Sequence, residues 1–125
     1  MVVVRGVPDC GNAPRKVVLR DLVIGLAERD ADAVVAPLAD DVRWSLVGDV
    51  ELVGADAVRV WGAGLPEADE LTFEAVLTHG RMAAVDGSVI AADGAQEDFC
   101  HVLHFAGAAK TAEIVRVRSY RSTSR

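Results

Sequence analysis

The stretch Glu97-Asp98-Phe99-Cys100-His101-Val102-Leu103-His104-Phe105 constrains the fold most. With a strand period of two, Phe99, His101, Leu103 and Phe105 share one face, while Cys100, Val102 and His104 share the other. The first face is a core face that carries one titratable side chain among bulky apolar neighbours. Such a chain must either bury an imidazole in a filled interior or open a cavity beside it. In the second case His101 is the prime candidate for chemistry.

The rest of the chain supplies what would surround that strand. Residues 1–12 read as an extended leader and residues 13–125 as a single domain. Asn12 offers a helix N-cap, and Pro14 is tolerated in a first turn. Leu19, Leu22, Val23 and Leu26 then form one apolar stripe at helical spacing. Gly25 weakens that helix by roughly 1 kcal/mol relative to Ala and marks a close backbone approach. Asp30 caps a second, shorter helix through Val34, Val35 and Leu38, which Pro37 stops near Ala36. From Val42 the period changes to two: Val42, Trp44 and Leu46 alternate with Arg43, Ser45 and Val47, and Gly48-Asp49 turns a hairpin. A third helix follows, with Ala57, Val60, Trp61 and Leu65 on one side. The remainder reads as strands. Phe73, Ala75, Leu77 and His79 share a face, Gly80 marks a bulge, and Asp86-Gly87 and Asp93-Gly94 make turns. The expected order is α-α-β-β-α-β-β-β-β, an α+β layout in which a curved antiparallel sheet wraps the N-terminal helices as a cone with an open end.

Bulk properties exclude several functions. The chain has 125 residues, enough for a core without metal or disulfide staples, and 51% of them are hydrophobic. Its net charge of −6 opposes nucleic acid and anionic lipid as partners. Arg116, Arg118, Arg121 and Arg125 form a basic tail that reads as a solvated strand edge. No apolar run approaches the roughly 18 residues of a membrane span. Cys10 and Cys100 have no metal or disulfide spacing, which fits a reducing cytoplasm. No phosphate loop, dinucleotide fingerprint, nucleophile elbow or zinc spacing occurs, so no cofactor is expected.

The element order resembles the nuclear transport factor 2-like superfamily, and within it the SnoaL-like polyketide cyclases and ketosteroid isomerase-like proteins. The resemblance spans about residues 13 to 122. It is carried by Arg29-Asp30-Ala31-Asp32-Ala33, Leu38-Ala39-Asp40-Asp41-Val42-Arg43-Trp44 and Gly54-Ala55-Asp56-Ala57-Val58, then by Ala84-Val85-Asp86-Gly87-Ser88-Val89 and Ile114-Val115-Arg116-Val117-Arg118-Ser119-Tyr120. It implies a ligand pocket inside the cone and a homodimer through the outer sheet face. Most of the family's catalytic positions do not carry over. The isomerase-like base, an aspartate two positions beyond Trp44, falls on Leu46. The oxyanion-stabilising tyrosine falls on Leu22. The protonated acid of the penultimate strand falls on His101. The epoxide hydrolase aspartate falls on Ser119, and that family's Arg-x-Asp pair has no match among Ala91, Ala92 and Asp93. Neither a ketosteroid isomerase nor a limonene epoxide hydrolase mechanism is supported.

Two readings of the site stay open. In one, a desolvated, neutral His101 is an acid or base in a lyase, isomerase or cyclase reaction. In the other, the protein catalyses nothing: it only binds a ligand, with His101 orienting a polar group of it, or serves as a dimeric interaction module. Either ligand is small and apolar or aromatic, held by Leu22, Trp44, Leu46, Trp61, Phe99, Leu103, His79 and Ser119. Trp44 and Trp61 can stack on a planar ligand or simply fill the core. Two histidines without a third ligand do not make a metal site.

Overall fold

A computed structural model describes residues 2–7, 9–11 and 13–124. Three helices and seven strands are present among them, in the order β1 (Val3–Arg5), α1 (Pro14–Glu28), α2 (Ala31–Val35), β2 (Leu38–Leu46), β3 (Glu51–Val53), α3 (Ala55–Ala63), β4 (Ala68–His79), β5 (Met82–Ala91), β6 (Gln96–Phe105) and β7 (Ile114–Ser124). The strands form one curved, unclosed sheet in the order β1-β4-β5-β6-β7-β2-β3. The expected α+β architecture is present.

The helical stripe behaves as its spacing predicts, with Leu19, Leu22, Val23 and Leu26 all buried. The cap expected at Asn12 lies outside the described residues. Asp30 does cap α2, accepting from the Ala33 backbone N–H at 3.2 Å. Gly25 sits where α2 crosses: a Cβ there would lie 3.1 Å from the Ala33 side chain and 3.3 Å from that of Val34. A contact this tight explains why α1 tolerates a poor helix former at that turn.

Several expectations need correction. The sheet is mixed rather than antiparallel throughout, because β1 runs parallel to β4 and β2 parallel to β7. Period two fixes which face a residue takes but not which strand it pairs with, and both parallel partners lie far away in sequence. The leader contributes the edge strand β1, with Val2 and Val4 packed on the core. Leu38 opens β2 instead of closing α2. Pro37 ends helical geometry, its carbonyl accepts from the Ile114 N–H at 2.9 Å, and Leu38 pairs with Ile114. On α3 the buried side is Val58 and Gly62, with Trp61 half-buried, while Val60 is 76% exposed.

The largest correction concerns β4 and β5. Their hairpin turns at Gly80-Arg81, with His79 paired to Met82, and Gly80 takes the left-handed φ of +57° that the turn requires. Asp86-Gly87, expected as a turn, lies in the middle of the ten-residue strand β5. Opposite Gly87, β4 bulges between Phe73 and Ala75. The Thr72 carbonyl oxygen would be 2.0 Å from any Cβ at position 87, so this glycine admits a neighbouring backbone. The bulge also reverses the faces of β4. Phe73 is buried, but Leu77 is 65% exposed and His79 is exposed at the strand's far end.

Along β6 the alternation holds: Phe99, His101, Leu103 and Phe105 are buried, and Cys100, Val102 and His104 are half-buried on the outer face. In the first turn of α1, Arg15 closes one end of the interior. Its guanidinium donates to the Gly80 carbonyl and, at 2.9 Å each, to those of Gly107 and Ala109, and it lies 4.1 Å above the Phe105 ring.

Candidate functional site: the cavity beside His101

At the other end the interior is not filled. A cavity of about 300 Å³ lies between the later half of α1, the end of α3 and the sheet. This is at the lower limit of small-molecule sites and suits a ligand of one or two rings. Its walls are apolar, supplied by Val23, Leu26 and Ala27 of α1, Leu65 after α3, and Val89 and Phe99 of the sheet. His101 and Ser119 face it from adjacent, paired positions on β6 and β7. Arg121 and Glu97 stand at its mouth, each side chain 35% exposed.

Four of the residues singled out from sequence meet at this wall: His101, Phe99, Ser119 and Trp61. The other five do not reach it. Leu22, Leu103 and Leu46 belong to the packed core at 0%, 0% and 5% exposure. Leu22 lies too early on α1; the cavity is reached only by Val23 and the following turn. Trp44 is fully buried behind the wall, its ring 5.2 Å from Trp61 and 6.2 Å from His101. His79 lies at the opposite end of β4, beside the Gly80 turn, and is exposed there.

Trp44 and Ser119 nevertheless decide the chemistry of His101. Trp44 Nε1 donates to Ser119 Oγ at 2.7 Å, and the same oxygen lies 2.7 Å from His101 Nδ1. An indole N–H can only donate, and a serine hydroxyl has one proton to give. If Nδ1 also donated to Oγ, the buried hydroxyl proton would have no acceptor, which costs about 1–3 kcal/mol. The favoured relay therefore runs Trp44 N–H to Ser119 O–H to Nδ1, and the network assigns the imidazole proton to Nε2. Nε2 has no protein partner among the described residues, yet no buried side-chain nitrogen or oxygen there lacks one. It is therefore open to the cavity. Burial, reinforced by the positive charge of Arg121, lowers the His101 pKa to about 4. At neutral pH the ring is uncharged, stacked on Phe99 with centroids 5.1 Å apart, and offers the cavity an N–H donor.

Arg121, read from sequence as part of a basic tail, and Glu97, a sequence neighbour of His101, were not among the residues assigned to the site. The signal was present: period two from Ser119 puts Val117, Arg121 and Thr123 on the same face, and from His101 it puts Phe99 and Glu97 there. What hid Arg121 was its place in a run of arginines. Among the described residues no group of three or more His, Cys, Asp or Glu is placed to hold a metal ion, and no helix is long and apolar enough to cross a membrane.

The geometry defines a class: a curved sheet wrapped on helices, with a one-ended apolar cavity and a few converging polar groups. No protein-family model matches the chain, and no curated protein matches it. Solved structures do. An NTF-2 like protein of unknown function from Burkholderia xenovorans LB400 superposes with a TM-score of 0.77 at 14% identity, over 93% of this chain and 88% of that one. The epoxide hydrolase/cyclase-like enzyme SalBIII, described for its role in pyran ring formation in the polyether salinomycin, gives 0.71 at 15% identity, over 90% and 93%. A protein from Kribbella flavida DSM 17836, put forward as a ketosteroid isomerase, gives 0.67 at 22% identity, over 90% and 80%. The chain has the nuclear transport factor 2-like fold.

Proposed function

We propose that this protein binds a small apolar or aromatic molecule in the cavity, and that the neutral His101 donates a hydrogen bond from Nε2 to an oxygen of that ligand. The Trp44–Ser119–His101 relay carries this reading, because it leaves Nε2–H directed at an otherwise apolar space. A carbonyl oxygen is the natural acceptor. Should the ligand react, this donor would polarise that carbonyl or protonate an oxygen, as in a lyase, isomerase or cyclase step. A base role at Nε2 is disfavoured, since that nitrogen holds the proton. The position of the isomerase-like base holds Leu46, and no carboxylate bonds to His101. Those two facts favour the alternative of a non-catalytic binding module.

The site residues we assign are His101 as donor, Ser119 and Trp44 as the groups that position it, and Trp61 and Phe99 as aromatic wall. A homodimer through the outer sheet face is supported by the half-buried Cys100, Val102 and His104 beside the exposed Tyr120; light scattering giving a monomer mass would reject it. A cytoplasmic location rests on the absence of disulfide spacing in the sequence.

The test compares 2-acetylnaphthalene with 2-ethylnaphthalene, which lacks the oxygen, by titration calorimetry. A neutral hydrogen bond is worth about 0.5–1.5 kcal/mol. The ketone should therefore bind roughly three- to tenfold tighter, and His101→Phe should abolish the preference. Equal binding of the two by the unaltered protein, or a preference that survives His101→Phe, rejects the assignment. If a substrate is found, His101→Ala separates the two readings: an enzyme loses turnover with affinity mostly kept, whereas a binder loses affinity alone.

A further inference from the structure

Arg121 is the one cation on the cavity's wall among the described residues. It is also the least engaged of the ion-paired arginines among the described residues. Arg5, Arg20 and Arg43 meet their carboxylates at 2.9, 3.0 and 2.5 Å, and Arg59 is equally close to Asp32. The Arg121 side chain approaches Glu97 only to 3.8 Å, beyond hydrogen-bonding distance, and its guanidinium makes no hydrogen bond among the described residues. A guanidinium has a fixed fork of N–H donors whose natural complement is a carboxylate. Here that fork is held at the entrance of an apolar cavity by a strand residue, two positions along β7 from Ser119.

We infer that Arg121 makes this pocket selective for a monocarboxylic acid: an apolar or aromatic body fills the cavity while the carboxylate pairs with Arg121 in place of Glu97. This deepens the proposed function, since it rests on the cavity being a ligand site. The surroundings narrow the class. Glu67, Asp93 and Glu97 share the mouth with Arg121, and Asp93 is already occupied in accepting from the Ala95 N–H at 2.9 Å. Three carboxylates around one cation repel a dianion more than a single charge, so a phosphate ester is disfavoured relative to a carboxylate. His101 Nε2–H lies deeper on the same wall and remains available to a second oxygen, so an oxo acid would use both donors.

The test titrates the full chain with 2-naphthoate and with its neutral isostere 2-naphthamide at pH 7, at low and high salt. The acid should bind about tenfold tighter at low salt, and salt should erase most of that difference. Arg121→Gln should make the two probes equal, and Arg121→Lys should keep part of the preference. Glu97→Gln should tighten naphthoate several-fold and leave naphthamide unchanged, because it removes a competitor for the guanidinium. If the amide binds as tightly as the acid, or Arg121→Gln leaves the preference intact, the inference is overturned and the cavity remains a ligand site. If neither probe binds, the cavity reading falls with it.

Discussion

Two arginines, at opposite ends of the same interior, meet opposite fates. Arg15, in the first turn of α1, spends its guanidinium on three main-chain carbonyls and the Phe105 ring, and ties the β4–β5 turn to the β6–β7 loop. About 16 Å further along the helix axis, at a 1.5 Å rise per residue, α1 presents Val23, Leu26 and Ala27 to an open cavity whose mouth holds Arg121. The first end is closed because its backbone carbonyls, left without sheet partners at turns, need a donor that reaches all of them. The second is open because small residues such as Ala68, Ala91 and Ala95 leave the space unfilled. One arginine is consumed in holding the fold; the other keeps its donors available.

Acid should separate the two ends most. In the folded protein His101 titrates at about 4, below the 6.5 of an unperturbed imidazole. Between those values the unfolded chain takes up a proton that the folded chain refuses. Stability is therefore full above pH 6.5 and falls as pH drops toward 4, by up to about 3 kcal/mol at the full shift. Urea melts at pH 7.0 and 4.5 should show a loss in the parent that His101→Phe reduces; an equal loss in both would place the acid sensitivity elsewhere.

The next largest effect belongs to the closed end. Arg15→Met should cost about 2 kcal/mol in the same melts, since charge-assisted bonds to three carbonyls and a cation–π contact go together. A change under about 0.5 kcal/mol would mean that water satisfies those carbonyls equally well.

At the open end, Arg121→Gln should change stability by no more than about 0.5 kcal/mol, as expected for a loose and exposed ion pair. It should also raise the His101 pKa, because the positive charge that opposes imidazole protonation is gone. An NMR titration of the imidazole reads this directly, and the same nitrogen shifts report whether the proton resides on Nε2. A pKa unmoved by Arg121→Gln would show that the two groups do not sense each other, and would weaken the contrast between the arginines.

The inward face of β6, from which Phe99 and His101 line the cavity, was legible from residue spacing. Phe99, His101, Leu103 and Phe105 share a face because successive side chains of any strand alternate, whatever lies opposite. The α1 stripe and the Asp30 cap are local in the same sense. The misplaced turn shows where such reading ends. Asp86-Gly87 has the composition of a hairpin turn, yet Gly87 is required in mid-strand by the Thr72 carbonyl. That carbonyl lies fifteen residues earlier in the chain, and nothing in the local pattern reveals the approach. The reversed face of Leu77 and His79 has the same origin, since a bulge is a property of a strand pair rather than of one strand.

The sequence by itself determined an inward-facing histidine on an apolar strand, an α+β layout and an acidic chain without the spacing of a metal or phosphate site. Only tertiary structure decided that His101 meets Ser119, that Trp44 meets the same hydroxyl from a strand 75 residues away in sequence, and that Arg121 stands at the mouth with loose company. Periodicity sets the direction of a side chain through short-range backbone geometry. The donor it finally meets depends on register between distant strands, which is fixed by packing the whole interior at once.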